Sequence, residues 1–477
     1  MLKGRFFQSL TIKSKSDSFW GEIKMTETKI TGRQIIVIAS LIFGVLFGAG
    51  NLIFPVHLGQ LAGAHWLGAS SGFLISGVLL PLMALLAISI TRSNNIYDLA
   101  RPNGHYYALI FLILVQATLG PLFAMPRTAT VPYTIGFAPH ISASGNVVGL
   151  LIYTGIFFVI VFGLTVTEAK ITDLIGKILN PVFLVLLFII FFLAFISPMG
   201  RTQTTPVTAE YSIHAFSSGF LQGYNTMDIL GCLAFGVAII SAIKELGIED
   251  TKKISWTTAK SGTIGIMGIA VIYICLIWLG ATSLHQFKVA DNGGTTLAQI
   301  AHYYMGFVGD ALLATLTSVT CLTTAMGLAA AFSEDLHRLF PRVSYKKFLL
   351  FNCLFSFLVA NLGLDKIIAW SAPVLVFLYP LAITLTILGI TSPLFKTGPI
   401  VYRVTTGLTF IPAVFDLVNN LPVGLQKTSF AQAMISFAHQ YFPLFSLGFS
   451  WIPFAVAGFI IGIGIRLVRK QQGKLES

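Results

Sequence analysis

Residues 42–55 have the sequence Ile-Phe-Gly-Val-Leu-Phe-Gly-Ala-Gly-Asn-Leu-Ile-Phe-Pro, in which Gly48, Gly50, Asn51 and Pro55 interrupt a long apolar run. Glycine weakens a helix, asparagine competes for its backbone hydrogen bonds, and proline removes a donor and clashes with an upstream carbonyl. These residues therefore predict a break in the helix that the run would form. The alternative interpretation is a packing face, because small residues let a neighbouring helix approach closely.

The composition of the whole chain is typical of a membrane protein. Among the 477 residues, 55% are hydrophobic and 10% are charged, against about 25% charged in a soluble domain. Mean hydropathy is +0.83, and apolar runs recur from residue 33 onward, which indicates one membrane domain. The net charge of +12 does not indicate nucleic-acid binding, because the basic residues lie in short segments between apolar runs.

The apolar runs define the predicted spans, since about 20 apolar residues cross a bilayer. About twelve runs are long enough, at residues 33–62, 68–91, 107–130, 146–165, 177–197, 214–244, 257–283, 307–336, 346–363, 366–392, 400–418 and 445–468. With the N-terminus in the cytoplasm, the Lys and Arg residues fall on the inside except for Arg127, Arg201, Lys288, Lys366 and Lys427. This bias predicts an even number of spans with both termini inside.

The spans divide the chain into a core, two peripheral spans and two tails. Both tails are polar and are expected to be cytoplasmic, the first one disordered and with Met25 as an alternative start. The predicted regions are the first tail at 1–32, the core at 33–392 with halves at 33–197 and 214–392, the peripheral spans at 400–468, and the second tail at 469–477. Gly458 and Gly462 in the last span have a spacing typical of helix packing.

The sixth span repeats the pattern of the first. Residues 216–228 have the sequence Phe-Ser-Ser-Gly-Phe-Leu-Gln-Gly-Tyr-Asn-Thr-Met-Asp, followed by an apolar stretch with Gly231 and Gly236. Spans one and six are five helices apart and cross in opposite directions. Breaks at matching places in inverted halves predict a transport site, where half-helix N-termini face an anionic group and freed carbonyls bind a cation.

Three threonines in span eight suit a cation site. Thr320, Thr323 and Thr324 have i, i+3, i+4 spacing, which places them on one helical face. Hydroxyl oxygens are suitable ligands for a hard cation such as Na⁺. The alternative interpretation is that these hydroxyls bond back to their own helix, as is frequent in membrane helices.

Two charged residues, Arg127 and Asp228, lie inside apolar segments. A charge at the centre of a membrane helix costs about 2.5–3.5 kcal/mol on insertion scales. We predict that the two side chains pair with each other or flank the entrance as an outer gate. The alternative is that Arg127 extends to the membrane surface.

The sequence contains no enzyme motif. The nine histidines have no metal-binding spacing, and there is neither a P-loop nor a GxSxG segment. A membrane-embedded enzyme would need clustered titratable groups, and a channel would not need paired broken helices. Four cysteines lie inside apolar runs and are expected to be small buried hydrophobic residues, namely Cys232, Cys275, Cys321 and Cys353.

Three segments in order resemble a known family. Gly48–Pro55, Gly120–Thr130 and Gly219–Asp228 are similar to the signature segments of the bacterial branched-chain amino-acid carriers, the BrnQ-type leucine/isoleucine/valine:cation symporters. Residues 361–364 and 371–375 also fit, and the resemblance covers about residues 30–470.

The resemblance implies an all-α polytopic membrane protein with a LeuT-like fold. Spans one to five and spans six to ten would form two halves related as an inverted repeat, and the first helix of each half, helix one or helix six, would be broken. The last two helices would be peripheral. The implied function is secondary active symport of Leu, Ile and Val across the bacterial inner membrane, driven by Na⁺ or H⁺, without any further cofactor. A same-fold carrier of another apolar amino acid or small solute remains the alternative. No feature indicates an oligomeric state.

The resemblance also implies site residues. The substrate carboxylate would meet the break in span one, and the substrate would contact the second break, placed at Cys232–Gly236 or alternatively at Gly219–Gly223. The implied substrate residues are Gly48, Ala49, Gly50, Asn51, Cys232, Phe235 and Gly236. The implied sodium ligands are the carbonyls of Gly44 and Phe47, together with Thr320, Thr323 and Thr324.

Overall fold

The computed structural model describes residues 31–472 apart from residues 168–170, 247, 249 and 396–397, and the side chains of residues 143, 171–181 and 251. Most of the first predicted tail, including Met25, lies outside the described residues, as do residues 473–477 of the second tail. All regular secondary structure in the described part of the chain is helical.

The α-helices follow one another with short connections. In chain order they are α1 (Gly32–Leu46), α2 (Gly50–Ala62), α3 (Trp66–Leu74), α4 (Leu80–Thr91), α5 (Ile96–Ala100), α6 (His105–Ala117), α7 (Ala124–Gly136), α8 (Ala143–Val166), α9 (Ile171–Ile196), α10 (Ala209–Gly223), α11 (Asp228–Glu245), α12 (Thr251–Ser283), α13 (Gly293–Leu339), α14 (Tyr345–Ala360), α15 (Leu364–Phe395), α16 (Pro399–Asn419), α17 (Val423–Gln426), α18 (Ser429–Tyr441) and α19 (Trp451–Gln471).

Within the described residues, eight continuous helical segments are long and apolar enough to cross a membrane, or nine if α10 and α11 are counted as one bent span. The count of twelve spans therefore stays a prediction. One of the eight, Gly50–Thr91, has 42 residues. A straight helix of that length would measure about 63 Å, twice the hydrocarbon thickness of about 30 Å. A turn at Gly63, whose φ is +48°, separates α2 from the segment that follows.

The first predicted break is confirmed. Helix α1 ends at Leu46 and α2 begins at Gly50, so the chain leaves regular helix where the two glycines and Asn51 cluster. Helix α13 has a kink at Gly306, whose φ is +55°, directly before the predicted start of span eight at residue 307. A further break at Gly120, where ψ is −115°, separates α6 from α7.

The predicted position of the second break is wrong. Helix α11 runs without interruption from Asp228 to Glu245, through Cys232, Phe235 and Gly236. The alternative at Gly219–Gly223 is also wrong, because both glycines belong to α10. The break lies at Tyr224–Met227, where Met227 has φ +61°, and α10 and α11 meet there at a bend of 42°.

Glycines let the half-helices α2 and α10 each touch a neighbouring helix backbone to backbone. A Cβ atom on Gly280 of α12 would lie 1.9 Å from the Val56 carbonyl oxygen of α2. In the same way, a Cβ atom on Gly219 of α10 would lie 2.1 Å from the Ala69 carbonyl oxygen of α3. These contacts hold α2 to α12 and α10 to α3, because only a residue without a side chain fits there.

The predicted packing role of Gly458 and Gly462 is confirmed. A Cβ atom on Gly458 would lie 2.7 Å from the Thr405 Cα atom, and one on Gly462 would lie 2.9 Å from the Val401 Cα atom. Helix α19 therefore packs closely on α16, with the backbones in contact.

We expect Gly280→Ala to lower the free energy of unfolding by about 1–3 kcal/mol or more, because the new methyl group overlaps the α2 backbone. The measurement is SDS-induced unfolding in mixed micelles. Gly407→Ala is the matched control, since no atom lies within 4 Å of its Cβ position. Equal unfolding curves for the two variants would contradict this close approach.

Candidate functional site

The two breaks face a cavity of about 720 Å³ inside the helix bundle. Its walls come from α1, α7, α9, α11, α13 and the chain at both breaks. The volume lies in the range of about 300–1,000 Å³ that is usual for small-molecule sites. The lining continues from Asn51 along α1 to Val37, so the cavity extends from the breaks toward the N-terminal end of α1.

Asn51 organises the first break. Its Oδ1 atom accepts the Gly48 N–H group at 2.9 Å, and in a continuous helix that N–H group would bond to the Gly44 carbonyl. The side chain thus stabilises the break and frees the Gly44 carbonyl. The same side chain is buried, with 2% of its surface exposed.

Asp228 begins α11 directly after the second break. The Nδ2 atom of Asn51 donates to both carboxylate oxygens, at 3.0 and 3.1 Å. The Tyr273 hydroxyl of α12 donates to Oδ2 at 2.7 Å and lies in hydrogen-bond contact with Asn51. A carboxylate is favourable at a helix N-terminus because of the helix dipole. Asn51 therefore links the two breaks through Asp228.

Arg127 closes the end of the cavity near α2. Its guanidinium donates to the Asn225 carbonyl at 2.9 Å and to the Ser371 hydroxyl of α15, and it lies 4.9 Å from the centre of the Phe54 ring. Only 3% of Arg127 is exposed, so the prediction that it extends to the membrane surface is wrong.

The predicted ion pair between Arg127 and Asp228 is also wrong. Arg127 donates to the Asn225 carbonyl and the Ser371 hydroxyl, and its Nε atom has no partner among the described residues. Asp228 accepts from Asn51 and Tyr273, and no ion pair joins the two side chains. The two charges instead lie at separate places on the wall of one cavity.

The three threonines line the same cavity, and Thr324 lies against the first break, where its Cγ2 atom is 3.4 Å from the Cβ position of Gly48. The Thr323 and Thr324 hydroxyls donate to the Thr320 carbonyl at 2.8 and 3.1 Å, which matches the alternative interpretation of self-bonding. Their oxygen atoms keep lone pairs that a cation can use. The Thr320 hydroxyl is buried without a hydrogen-bond partner among the described residues. Gly44 and Phe47 line the same cavity.

The remaining predicted substrate residues separate into two groups. Phe235 lines the cavity, as do Gly48, Ala49 and Gly50. Cys232 and Gly236 do not line it. Cys232 is completely buried in the core. Gly236 packs on α4, where its Cβ position lies 2.7 Å from the Ile88 Cδ1 atom.

Sequence reasoning missed Tyr273 and Ser371. Tyr273 lies in the middle of a strongly apolar span, and a buried tyrosine hydroxyl usually has a hydrogen-bond partner. The sequence alone could therefore have identified Tyr273 as a buried hydroxyl that needs a hydrogen-bond partner. Ser371 begins the segment 371–375, which fits the family resemblance, but nothing in that segment indicates that its hydroxyl would contact Arg127.

Two broken helices around a cavity, within a bundle of long apolar helices, define a membrane transporter of the LeuT-like fold rather than an enzyme. Two solved structures share this fold. MHP1, a nucleobase-cation-symport-1 family transporter in a closed conformation with bromovinylhydantoin bound, has a TM-score of 0.56 at 13% identity and covers 92% of this chain and 93% of its own. MhsT in complex with L-phenylalanine has a TM-score of 0.52 at 12% identity, with 91% and 98% covered.

The chain belongs to the family described as branched-chain amino acid transport protein, which it matches over residues 31–469. It is 39% identical over 438 residues to the branched-chain amino acid permease BrnQ of Lactobacillus delbrueckii subsp. lactis, covering 91% of this chain and 97% of the relative. It is 36% identical to BrnQ of Bacillus subtilis, with 92% and 98% covered. It is 38% identical to the branched-chain amino acid transport system 2 carrier protein of Pseudomonas aeruginosa, with 83% and 88% covered.

We expect Ser40→Cys to react with a charged, water-requiring methanethiosulfonate reagent, because Ser40 lines the open part of the cavity. Ser371→Cys should not react, because Ser371 is fully buried. The measurement is the labelling rate in inside-out membrane vesicles, in a background without the four native cysteines. Faster labelling at position 371 than at position 40 would contradict the direction in which the cavity opens.

Proposed function

We propose that this protein imports Leu, Ile and Val across the bacterial inner membrane by secondary active symport, with both termini in the cytoplasm. Its membership in the branched-chain amino acid transport family supports the substrate class. The observation that most directly supports the site is the link from Asn51 to Asp228, which joins two helix breaks at one cavity. In this proposal two inverted five-helix halves form the core and two helices lie peripherally.

The substrate carboxylate binds at the first break in this proposal. Ala49 and Gly50 lie at the start of α2, and the first N–H groups of a helix have no acceptor within it. These groups and the helix dipole favour an anionic group. The Phe235 ring lines the same cavity and offers an apolar surface to the branched side chain.

The coupling cation binds between α1 and α13, as Na⁺, with H⁺ as the alternative. The ligands would be the carbonyls of Gly44 and Phe47, with Thr320, Thr323 and Thr324. Three observations support this choice: the Gly44 carbonyl loses its helical donor to Asn51, the Thr320 hydroxyl is buried without a partner, and Thr324 lies against the first break. Hard cations prefer such oxygen ligands.

Alternating access requires a gate on each side of the site. The cavity extends toward the N-terminal end of α1, which is the cytoplasmic side in this proposal. Arg127 closes the opposite end by joining the second break to α15. The structure then corresponds to an inward-open state, and Arg127 forms the outer gate beside the substrate.

We expect proteoliposomes to accumulate [³H]leucine when an inward Na⁺ gradient is imposed at equal pH, and Ile and Val to compete. Thr323→Ala and Thr324→Ala should each raise the half-saturating Na⁺ concentration at least about tenfold, since an oxygen ligand to a charge is lost. A proton gradient without sodium is measured in parallel.

The matched control for the threonines is Thr315→Ala. Thr315 lies on the same helix and bonds to its own backbone, but it does not line the cavity, so its sodium dependence should match that of the wild type. Accumulation driven by protons alone would support the proposed transport function but contradict the proposed sodium site. If the folded protein does not take up leucine, the proposed substrate is wrong, and the alternative is a carrier of another apolar amino acid or small solute.

We expect Arg127→Ala to abolish accumulation and Arg127→Lys to retain part of it, because an ammonium group cannot copy the planar, multi-donor geometry of the guanidinium. The measurement is initial uptake normalised to the amount of inserted protein. Arg338→Ala, at an exposed position with a 4.0 Å contact to Glu334, is the control with unchanged uptake. Uptake by Arg127→Ala at the wild-type rate would contradict the proposed role of Arg127 as the outer gate.

A further inference from the structure

Asp228 is a buried negative charge without a positive partner. Its side chain is 4% exposed, and it lines the cavity. Among the described residues, its hydrogen-bond partners are the neutral side chains of Asn51, Tyr273 and Thr226. A carboxylate has about four lone-pair sites, so the group keeps capacity for another donor.

An ionised carboxylate in such a place is unfavourable unless a bound cation or a proton neutralises it. A buried carboxylate loses several kcal/mol of hydration, and neutral donors return only part of this free energy. Ionisable groups at membrane depth accordingly belong to binding sites or translocation paths. Arg127 contacts other groups, and no other basic side chain in the described part of the chain lines the cavity. A positive charge beside Asp228 would therefore come from a bound ligand or from a proton.

We propose that the Asp228 carboxylate binds the ammonium group of the transported amino acid. The proposal rests on the proposed function and deepens it, because it makes a zwitterion, rather than a branched-chain acid or amine, the required substrate. Asp228 follows the second break directly, and Asn51 connects it to the first. The ammonium and carboxylate groups of one small substrate can therefore contact the two breaks together.

The position of the other proposed cation site supports this assignment. The threonines face α1, with the Thr324 Cγ2 atom 3.4 Å from the Cβ position of Gly48. Asp228 makes no hydrogen bond to any of them. The coupling ion and the ammonium group thus have separate oxygen ligands on different walls of the cavity.

The test compares leucine with analogues that each lack one charge. Competition against [³H]leucine binding is measured on the full-length protein in lipid nanodiscs, with leucine, 4-methylpentanoate and 3-methylbutylamine as competitors at fixed pH and Na⁺ concentration. In the wild type, 4-methylpentanoate should bind at least about 30-fold more weakly than leucine, because it leaves the buried carboxylate unpaired.

Asp228→Asn should weaken leucine binding by about 30-fold or more, whereas binding of 4-methylpentanoate should stay equal or improve. A merely structural role would weaken both ligands alike. Asp228→Glu keeps the charge and should restore part of the preference. The matched control is Asp416→Asn, because Asp416 is another buried carboxylate with a neutral hydroxyl donor, Ser450 at 2.9 Å, and it lies outside the cavity.

Several results would overturn the proposal. Equal competition by 4-methylpentanoate and leucine in the wild type would do so even if Asp228→Asn failed to fold. Unchanged leucine binding by Asp228→Asn, together with loss of proton-driven accumulation, would make Asp228 a proton carrier instead. If the folded wild-type protein binds no leucine, both the proposed function and the role of Asp228 that rests on it are contradicted.

Discussion

The architecture of the site depends on the side chain of Asn51, which satisfies two separate parts of the chain at once. Its oxygen accepts the Gly48 N–H group that the broken helix leaves free, and its nitrogen donates to Asp228 at the second break. An aliphatic residue of similar size would leave the buried Gly48 N–H group unsatisfied, at a cost of about 1–3 kcal/mol, and would remove two of the hydrogen bonds to the Asp228 carboxylate. Through Tyr273, the same cluster reaches α12, so three helices meet at one point.

The second constraint is that the two buried charges are kept apart. Pairing Arg127 with Asp228 would remove most of the cost of their burial, yet the fold gives each of them neutral partners on different helices. A protein that only needed stability would place the charges together or replace them with apolar residues. Their separation on the wall of one cavity is consistent with the proposed role of the site, in which charged ligands enter and leave.

Much of the fold could be predicted because its signals are local. The apolar runs define the spans, and Gly48, Gly50 and Asn51 lie side by side at the first break. The second break could not be located, because Met227 in a left-handed conformation has no sequence signature. The glycine at position 236, which suggested that break, serves contact with α4 instead.

The partners of the buried charges were also beyond local prediction. The groups that bind Arg127 lie 98 and 244 residues away in the chain. Such distant contacts depend on how the helices pack in three dimensions, and no spacing rule describes them.

The close glycine contacts of α2 with α12 and of α10 with α3 have a consequence for how the molecule moves. Backbones that touch at Gly280 and at Gly219 leave no room for side chains to slide past one another. Sliding of α2 along α12, or of α10 along α3, would bring these backbones into overlap, so we expect each pair to move as one rigid unit. In the proposed transport cycle, the rotation between states then falls on the short non-helical joints at Phe47–Ala49 and Tyr224–Met227. The segments that we propose to bind the ligands are thus also the expected pivots of the movement.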